Sequence, residues 1–291
     1  MTWTALALVL GCAFGWAMLD LWRKLLSGRL AAVPASLVLV LGQIPLFGLW
    51  TAIESGSWPG VGYWLPGLAS IVLNLLASVA FMQSVRASAM SRTVPLLSLT
   101  PAFATLVAWP MLGEVPTGRE WLGIALVVVG ALVLARDDEA PTGELLRTLG
   151  ERGGLLMAFV ALCWSITPTV DKLAMEHAAP SVHALVVVVG ISLGLAVLIG
   201  RQGRFGEVRA AVGDREILGL VLLAVVTGAL ATALQLVAYQ HAPVGMVETV
   251  KRGIGPVAAL GFGAWLFAER IDRLRVAAVL LMVVGVFLVL S

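Results

Sequence analysis

The sequence predicts an all-α integral membrane protein of ten transmembrane helices, built as an inverted five-plus-five repeat around a central cavity. Three observations carry that expectation. Hydrophobic residues make up 60% of the 291-residue chain and charged residues 12%, with a mean hydropathy of +0.99, which excludes an ordinary soluble domain. Ten apolar runs recur, at 2–22, 33–53, 62–85, 92–112, 120–136, 153–172, 181–200, 216–240, 244–268 and 274–290. Each is near the length of about 20 residues that crosses the hydrocarbon core. A polar connector, DDEAPTGELLRTLGER, then divides five runs from five, giving a first repeat at 1–136, a connector at 137–152 and a second repeat at 153–291. Five is odd, so the second repeat enters the membrane in the opposite sense.

The first run lacks a basic leader and a small-residue cleavage site, and reads as a spanning helix. Trp16, Asp20, Arg23 and Lys24 fall on one helical stripe within it. Gln43, Asn74 and Gln83 bring uncharged polar groups into the second and third runs, and Asn74 lies deepest. Pro95, Pro101 and Pro110 punctuate the fourth, where each removes a helix donor. The sixth run carries Trp164, Pro168, Asp171 and Lys172, so the aromatic, acid and base theme returns. Gln235, Tyr239 and Gln240 close the eighth. The fifth and tenth runs, WLGIALVVVGALVLA and VAAVLLMVVGVFLVL, are apolar all round and belong at the periphery, with Gly130 and Gly285 as points of close approach to the core or to a second subunit of a homodimer.

The ninth run is the most informative. MVETVKRGIGPVAALGFGAWLFAER places Glu248, Lys251, Arg252 and Gly255 on one face, at i, i+3, i+4 and i+7. Ionised groups in hydrocarbon cost on the order of 3 kcal/mol each on insertion scales, so this face turns to a bundle interior or a wet cavity. The alternative is an internal Glu248–Arg252 pair near the interface with Lys251 reaching to headgroups. Trp16 with Trp164 and Lys24 with Lys172 align at a shift of 148, and Pro101 with Pro256, Glu114 with Glu269 and Gly130 with Gly285 at a shift of 155. Pro101 and Pro256 are therefore candidates to bend two equivalent helices about one cavity. Glu114 and Glu269 read as structural, each capping the next helix or pairing with Arg119 or Arg273.

The stretches PLLSLTPAFATLVAWPMLGEVPTGREWLGIALVVVG (Pro95 to Gly130) and VKRGIGPVAALGFGAWLFAERIDRLRVAAVLLMVVG (Val250 to Gly285) resemble the drug/metabolite transporter superfamily, in its ten-helix EamA branch. The resemblance implies a basket of helices around a cavity lined by the first four of each half, with the fifth and tenth outside. It also implies secondary transport without ATP hydrolysis. The sequence agrees, for it holds no GxxxxGK[ST] phosphate loop.

The expected function is transport of a small organic solute, anionic or zwitterionic, by alternating access across a bacterial cytoplasmic membrane. Candidate substrate contacts are Trp16, Asp20, Lys24, Asn74, Trp164, Asp171, Lys172, Gln235, Tyr239, Glu248, Lys251 and Arg252. Bases slightly outnumber acids among them, and tryptophan offers a face to a cation or an aromatic ring. Coupling to a proton or another ion would run through Glu248 or Asp171. Other readings are a lipid-headgroup flippase, an exporter of cationic or aromatic compounds, and a membrane protein that transports nothing. No catalytic motif, cofactor, metal site or nucleic-acid surface is read: His177, His183 and His241 are unclustered, and Cys12 and Cys163 lie within apolar runs. Of the 19 Lys and Arg, 15 flank the odd-numbered connections, which the positive-inside rule makes cytoplasmic; the family resemblance implies cytoplasmic termini instead.

Overall fold

The computed structural model describes residues 2–27, 29–30, 32–56, 58–88, 93–134, 150–213, 215–267 and 273–291. Their α-helices are α1 (Trp3–Ser27), α2 (Ala32–Glu54), α3 (Trp64–Ala87), α4 (Thr100–Leu112), α5 (Gly118–Leu134), α6 (Arg152–Ala174), α7 (Pro180–Arg201), α8 (Phe205–Gly213), α9 (Arg215–His241), α10 (Val244–Phe267) and α11 (Arg273–Leu290). Short 3-10 segments precede α3, at Val61–Tyr63, and α4, at Val94–Leu99. Apart from α8, each helix occupies one of the ten apolar runs. The sequence reading left α8 inside a connection, because its stretch is short and carries Glu207 and Arg209 among alanines.

Among the described residues seven helices are long and apolar enough to cross a membrane on their own: α1, α2, α3, α6, α7, α9 and α11. The other three depart from that pattern for separate reasons. Val94–Leu99 winds as a 3-10 turn that has Pro95 near its start and is followed by Pro101, neither of which has an N–H to give to a helix, and leaves α4 with 13 residues. Helix α5 has 17 residues. Helix α10 has 24, but carries Glu248, Lys251 and Arg252. The paired prolines also differ in effect: Pro101 sits in the first turn of α4, where a missing N–H is harmless, whereas Pro256 lies inside α10.

Local signals set the helix ends. Gly113 closes α4 at φ +69°, the left-handed conformation favoured by glycine. Thr117 and Glu120 open α5 as a capping box: Glu120 N–H donates to Thr117 Oγ1 (3.2 Å), and Thr117 N–H donates to Glu120 Oε2 (2.6 Å).

Packing relates the two halves. Helix α1 lies along α9 and α10, as α6 lies along α3 and α4; α2 meets α7, α4 meets α10, and α5 meets α11. Exchanging α1–α5 for α6, α7, α9, α10 and α11 carries this set of contacts onto itself. The termini and the even-numbered connections share one face: Arg119 bonds Ser291, and a Cβ added at Gly62 would stand 3.0 Å from the His177 ring. On the opposite face, near the mid-chain connector, Ser84 Oγ donates to Gly153 O (2.6 Å). Helix α1 thus starts at the terminal face and α6 at the connector face, which makes the repeat inverted.

Two contacts fasten these parts. Glu114, after α4, accepts the Val244 N–H through Oε2 (2.7 Å) and Lys172 Nζ through Oε1 (2.6 Å), while Lys172 also donates to Ala242 O (3.3 Å). The glutamate therefore caps α10 of the other half and binds the end of α6, in place of the expected cap on α5 or pair with Arg119. Glu269 lies outside the described residues. Gly130 and Gly285 serve the α5–α11 contact within the chain: a Cβ on Gly285 would fall 2.6 Å from Gly123 O, and one on Gly130 would fall 2.8 Å from Ala278 O.

Two measurements check this account. Gly285→Ala must push α5 and α11 apart, lowering stability by about 1–3 kcal/mol, whereas Gly261→Ala, with nothing within 4 Å of its added Cβ, is neutral or stabilising; melting of the detergent-purified protein ranks them. Glu114→Ala loses cap and ion pair together and costs about 2 kcal/mol, while Glu114→Gln keeps an acceptor for Val244 and falls between it and the wild type in the same assay.

Candidate functional site

Burial without lipid contact has to be built, and α1, α9 and α10 build it. Helices α1 and α9 approach closely where Gly15 faces Ala231; a Cβ on Gly15 would stand 2.9 Å from that of Ala231. Trp16 is thereby held against the polar turns of α9 and α10. Gln235 and Tyr239 stand one turn apart on α9, and Glu248 and Lys251 one turn apart on α10.

Glu248 is the centre of this cluster and only 1% exposed. Its Oε1 accepts the Tyr239 hydroxyl at 2.6 Å and Lys251 Nζ at 2.6 Å. Lys251 also donates to Gln235 Oε1 at 2.7 Å and stands 5.4 Å from the centre of the Trp16 ring, within cation–π range. The Glu248 and Lys251 charges cancel. Of the buried polar side-chain atoms without a hydrogen-bond partner among the described residues, two lie on these helices, Trp16 Nε1 and Arg252 Nε, and the indole has only the weak sulfur acceptor of Cys12 near it. The predicted alternative for this helix, a Glu248–Arg252 pair with Lys251 turned outward, is not what forms. Lys251 takes the carboxylate, and Arg252 adds a positive charge beside a neutral pair.

A second buried network joins α3, α6 and α7. Asp171 Oδ1 accepts Ser70 Oγ at 2.5 Å and lies 3.0 Å from His183 Nε2, and His183 Nδ1 lies 3.0 Å from Tyr63 Oη. The Tyr63 and His183 rings meet edge to face at 5.7 Å. Tyr239 is in electrostatic reach of both acids, so the two networks adjoin there.

Of the sequence-derived candidates, the structure brings together Trp16, Gln235, Tyr239, Glu248 and Lys251, with Arg252 on the same helix. Others it places elsewhere. Asp20 is exposed and pairs with Arg23 at 3.3 Å, and Lys24 is exposed at the end of α1. Asn74 donates to Ser70 O of its own helix at 3.0 Å. Lys172 is held by Glu114 at the terminal face, and Asp171 belongs to the second network. Trp164 stacks on Phe81 at 6.1 Å in an apolar cluster that includes Leu96. Here the repeat explains the difference, since Leu96 stands where the other half has Lys251, and Ala80 where it has Gln235. The two tryptophans share a backbone position but not an environment.

Tyr63, Ser70 and His183 were not singled out from the sequence. His183 alone left a signal, an imidazole at the start of an apolar run; a serine or tyrosine in such a chain carries none. A cleft of about 90 Å³, lined by Thr105, Glu114, Ile124 and Met246 among others, opens beside the Glu114 contact, apart from the cluster. Among the described residues no group of three or more His, Cys, Asp or Glu could hold a metal.

Comparison with known proteins agrees with this architecture. One solved crystal structure, described only as that of a protein, superposes with a TM-score of 0.76 at 13% identity, over 99% of this chain and 96% of that one, a likeness of fold. A riboflavin transporter of Vibrio cholerae is 30% identical over 131 residues, 44% of this chain and 43% of that protein. A probable 4-amino-4-deoxy-L-arabinose-phosphoundecaprenol flippase subunit, ArnE, of Klebsiella pneumoniae is 35% identical over 74 residues, 25% of this chain and 62% of that one. Neither match reaches two thirds of the relative's length. The spans and these bacterial relatives describe a multi-pass protein of a bacterial cell membrane. The sequence profile of the EamA-like transporter family matches at residues 3–136 and again at 151–291, and the chain belongs to that family of transporters.

Proposed function

We propose that the chain is a secondary carrier of a small organic solute bearing an anionic group, moved by alternating access, and that the cluster on α1, α9 and α10 binds it. The observation that carries this reading is a buried guanidinium donor without an acceptor, Arg252 Nε, and an indole donor, Trp16 Nε1, with nothing stronger than the Cys12 thiol near it, beside a Glu248–Lys251 pair that already cancels. An unpaired buried donor costs about 1–3 kcal/mol, more when charged. A carboxylate or phosphate entering from the aqueous side supplies the missing acceptors. The ion pair itself is a poor stabiliser, because desolvation offsets much of its attraction; its value lies in holding a cationic group ready inside the membrane.

A lipid-linked phosphate would meet the same donors, and the match to a flippase subunit favours keeping that second reading. The shared requirement is an anionic group.

Thermal-shift measurements on the detergent-purified protein, with carboxylated and phosphorylated metabolites, amino acids, riboflavin, quaternary amines and a short-chain alkyl phosphate, test the class. Anions raise the melting temperature, as any ligand selective for the folded state does, and the rise disappears in Arg252→Ala. Stabilisation by amines that persists in that variant overturns the anion reading, and stabilisation by the alkyl phosphate alone selects the lipid one. Separately, Glu248→Ala leaves Lys251 buried and unpaired and costs about 3–5 kcal/mol; the double change Glu248→Gln, Lys251→Met recovers most of that stability while abolishing solute binding. If the double variant binds as the wild type does, the site lies elsewhere.

A further inference from the structure

The carrier cluster leaves the second buried network without a task. Asp171 is 7% exposed, His183 1% and Tyr63 0%. The donors in it can be assigned from one another. With the Nε2–H of His183 aimed at Asp171, Nδ1 is an acceptor, and the Tyr63 hydroxyl donates to it. Ser70 Oγ donates to the same Oδ1. In that arrangement one carboxylate oxygen is held by two donors. A second proton on His183 would have to occupy Nδ1, turning Tyr63 from donor to acceptor and leaving its own hydrogen without a partner in a sealed place. Asp171 Oδ2 takes part in none of these bonds. A proton added there converts carboxylate to carboxylic acid and breaks nothing.

Position gives that protonation a consequence. Asp171 lies in the last turn of α6, His183 in the first turn of α7, Tyr63 and Ser70 at the start of α3, all near the terminal face. Parting these ends would strip an ionised carboxylate of both donors inside the membrane, whereas a neutral acid would lose only two ordinary hydrogen bonds. The neighbouring Lys172 ties the same turn of α6 to Glu114 and the α9–α10 turn, so movement of α6 reaches the helix that carries Glu248 and Lys251.

We propose that Asp171 is the proton-binding site of this carrier, its ionised form locking the terminal face shut and its protonated form allowing that face to open. The proposal rests on the alternating-access reading above. The groups facing Asp171 are consistent with a single titrating acid. Helix α7 offers His183, the 61–63 turn offers Tyr63, and α9 offers Tyr239, whose hydroxyl is engaged by Glu248 of α10. Helix α4 and the 94–99 turn have no ionisable residue, and Lys172 on α6 itself is bound to Glu114.

Disulfide trapping across the terminal face tests this without any solute. In a chain with Cys12→Ala and Cys163→Ala, the pair Gly56→Cys and Ala179→Cys joins the second and sixth connections at the terminal face, where a Cβ on Gly56 would stand 3.4 Å from that of Ala179. Asp171→Asn imitates the protonated acid. In the pH range where Asp171 is ionised, the Asp171 protein should cross-link about tenfold faster than its Asn counterpart, and the ratio should fall toward one as the pH is lowered and the acid reaches the state that Asn imitates. Taking the ratio removes the pH dependence of thiol chemistry, which both proteins share. Equal rates at the higher pH overturn the proposal, as does a ratio that stays constant with pH, which would make Asp171 a structural acceptor. Where Asp171→Asn fails to fold, Ser70→Ala removes one donor from the carboxylate and should move the fall in cross-linking to higher pH; an unmoved profile overturns the proposal equally. Loss of solute binding in the thermal-shift assay would defeat the carrier reading while leaving this readout intact.

Discussion

A charge inside a bilayer must be met by the protein, because lipid cannot meet it. That constraint explains more of this structure than any other. Helix α10 crosses the membrane with Glu248, Lys251 and Arg252, and its neighbours are arranged around them. Tyr239 and Gln235 stand one turn apart on α9 because two partners are needed at two heights; Trp16 lends its ring face to the same ammonium. The close seating of Gly15 on Ala231 lets α1 come near enough for that contact. Even the capping of α10 by Glu114 follows, since a helix that positions three charged side chains needs a fixed end.

The backbone obeys an approximate two-fold relation that the side chains do not. Packing of α1 on α9 and α10 has its mate in α6 on α3 and α4, yet the first holds Lys251 against Trp16, and the second an alanine–leucine cluster around Trp164. The acid–histidine network breaks the symmetry again: the shift of 148 that carries Trp16 to Trp164 puts Ala35 opposite His183 and Arg23 opposite Asp171. An inverted repeat supplies two related conformations, open to opposite sides. Each network draws residues from both halves, and on the roles proposed above the different chemistry at the two sites would let one hold a solute and the other respond to a proton.

How much of this was legible in the sequence depended on the kind of signal. Hydropathy located the helices to within a few residues, because twenty apolar positions in a row admit little else. It could not show that Val94–Leu99 winds as a 3-10 turn, nor that α8 forms between two spans, since both depend on local backbone accounting over fewer than ten residues. The face of α10 was readable from spacing alone. Which base takes Glu248 was not: i+3 and i+4 both reach it, and the choice of Lys251 over Arg252 is made by Gln235 on another helix. The pairing of Trp16 with Trp164 misled in an instructive way. A repeat conserves where a side chain starts, while its surroundings are set by the residues opposite, here Lys251 against Leu96.

Buried ion pairs seldom repay their desolvation, so a carrier that keeps one should gain something a hydrophobic core could not give. In this chain the gain is exchangeability. Lys251 has a carboxylate, an amide oxygen and a ring face as partners, each replaceable by an oxygen or an aromatic face of a solute at little net change. Asp171, by contrast, is held on one oxygen by Ser70 Oγ and His183 Nε2, contacts that join three helix ends. A loosely substitutable pair suits the group that must accept and release many molecules. A tightly held acid suits the group proposed to decide when the helices part, and Tyr239, bonded to Glu248, stands within electrostatic range of Asp171.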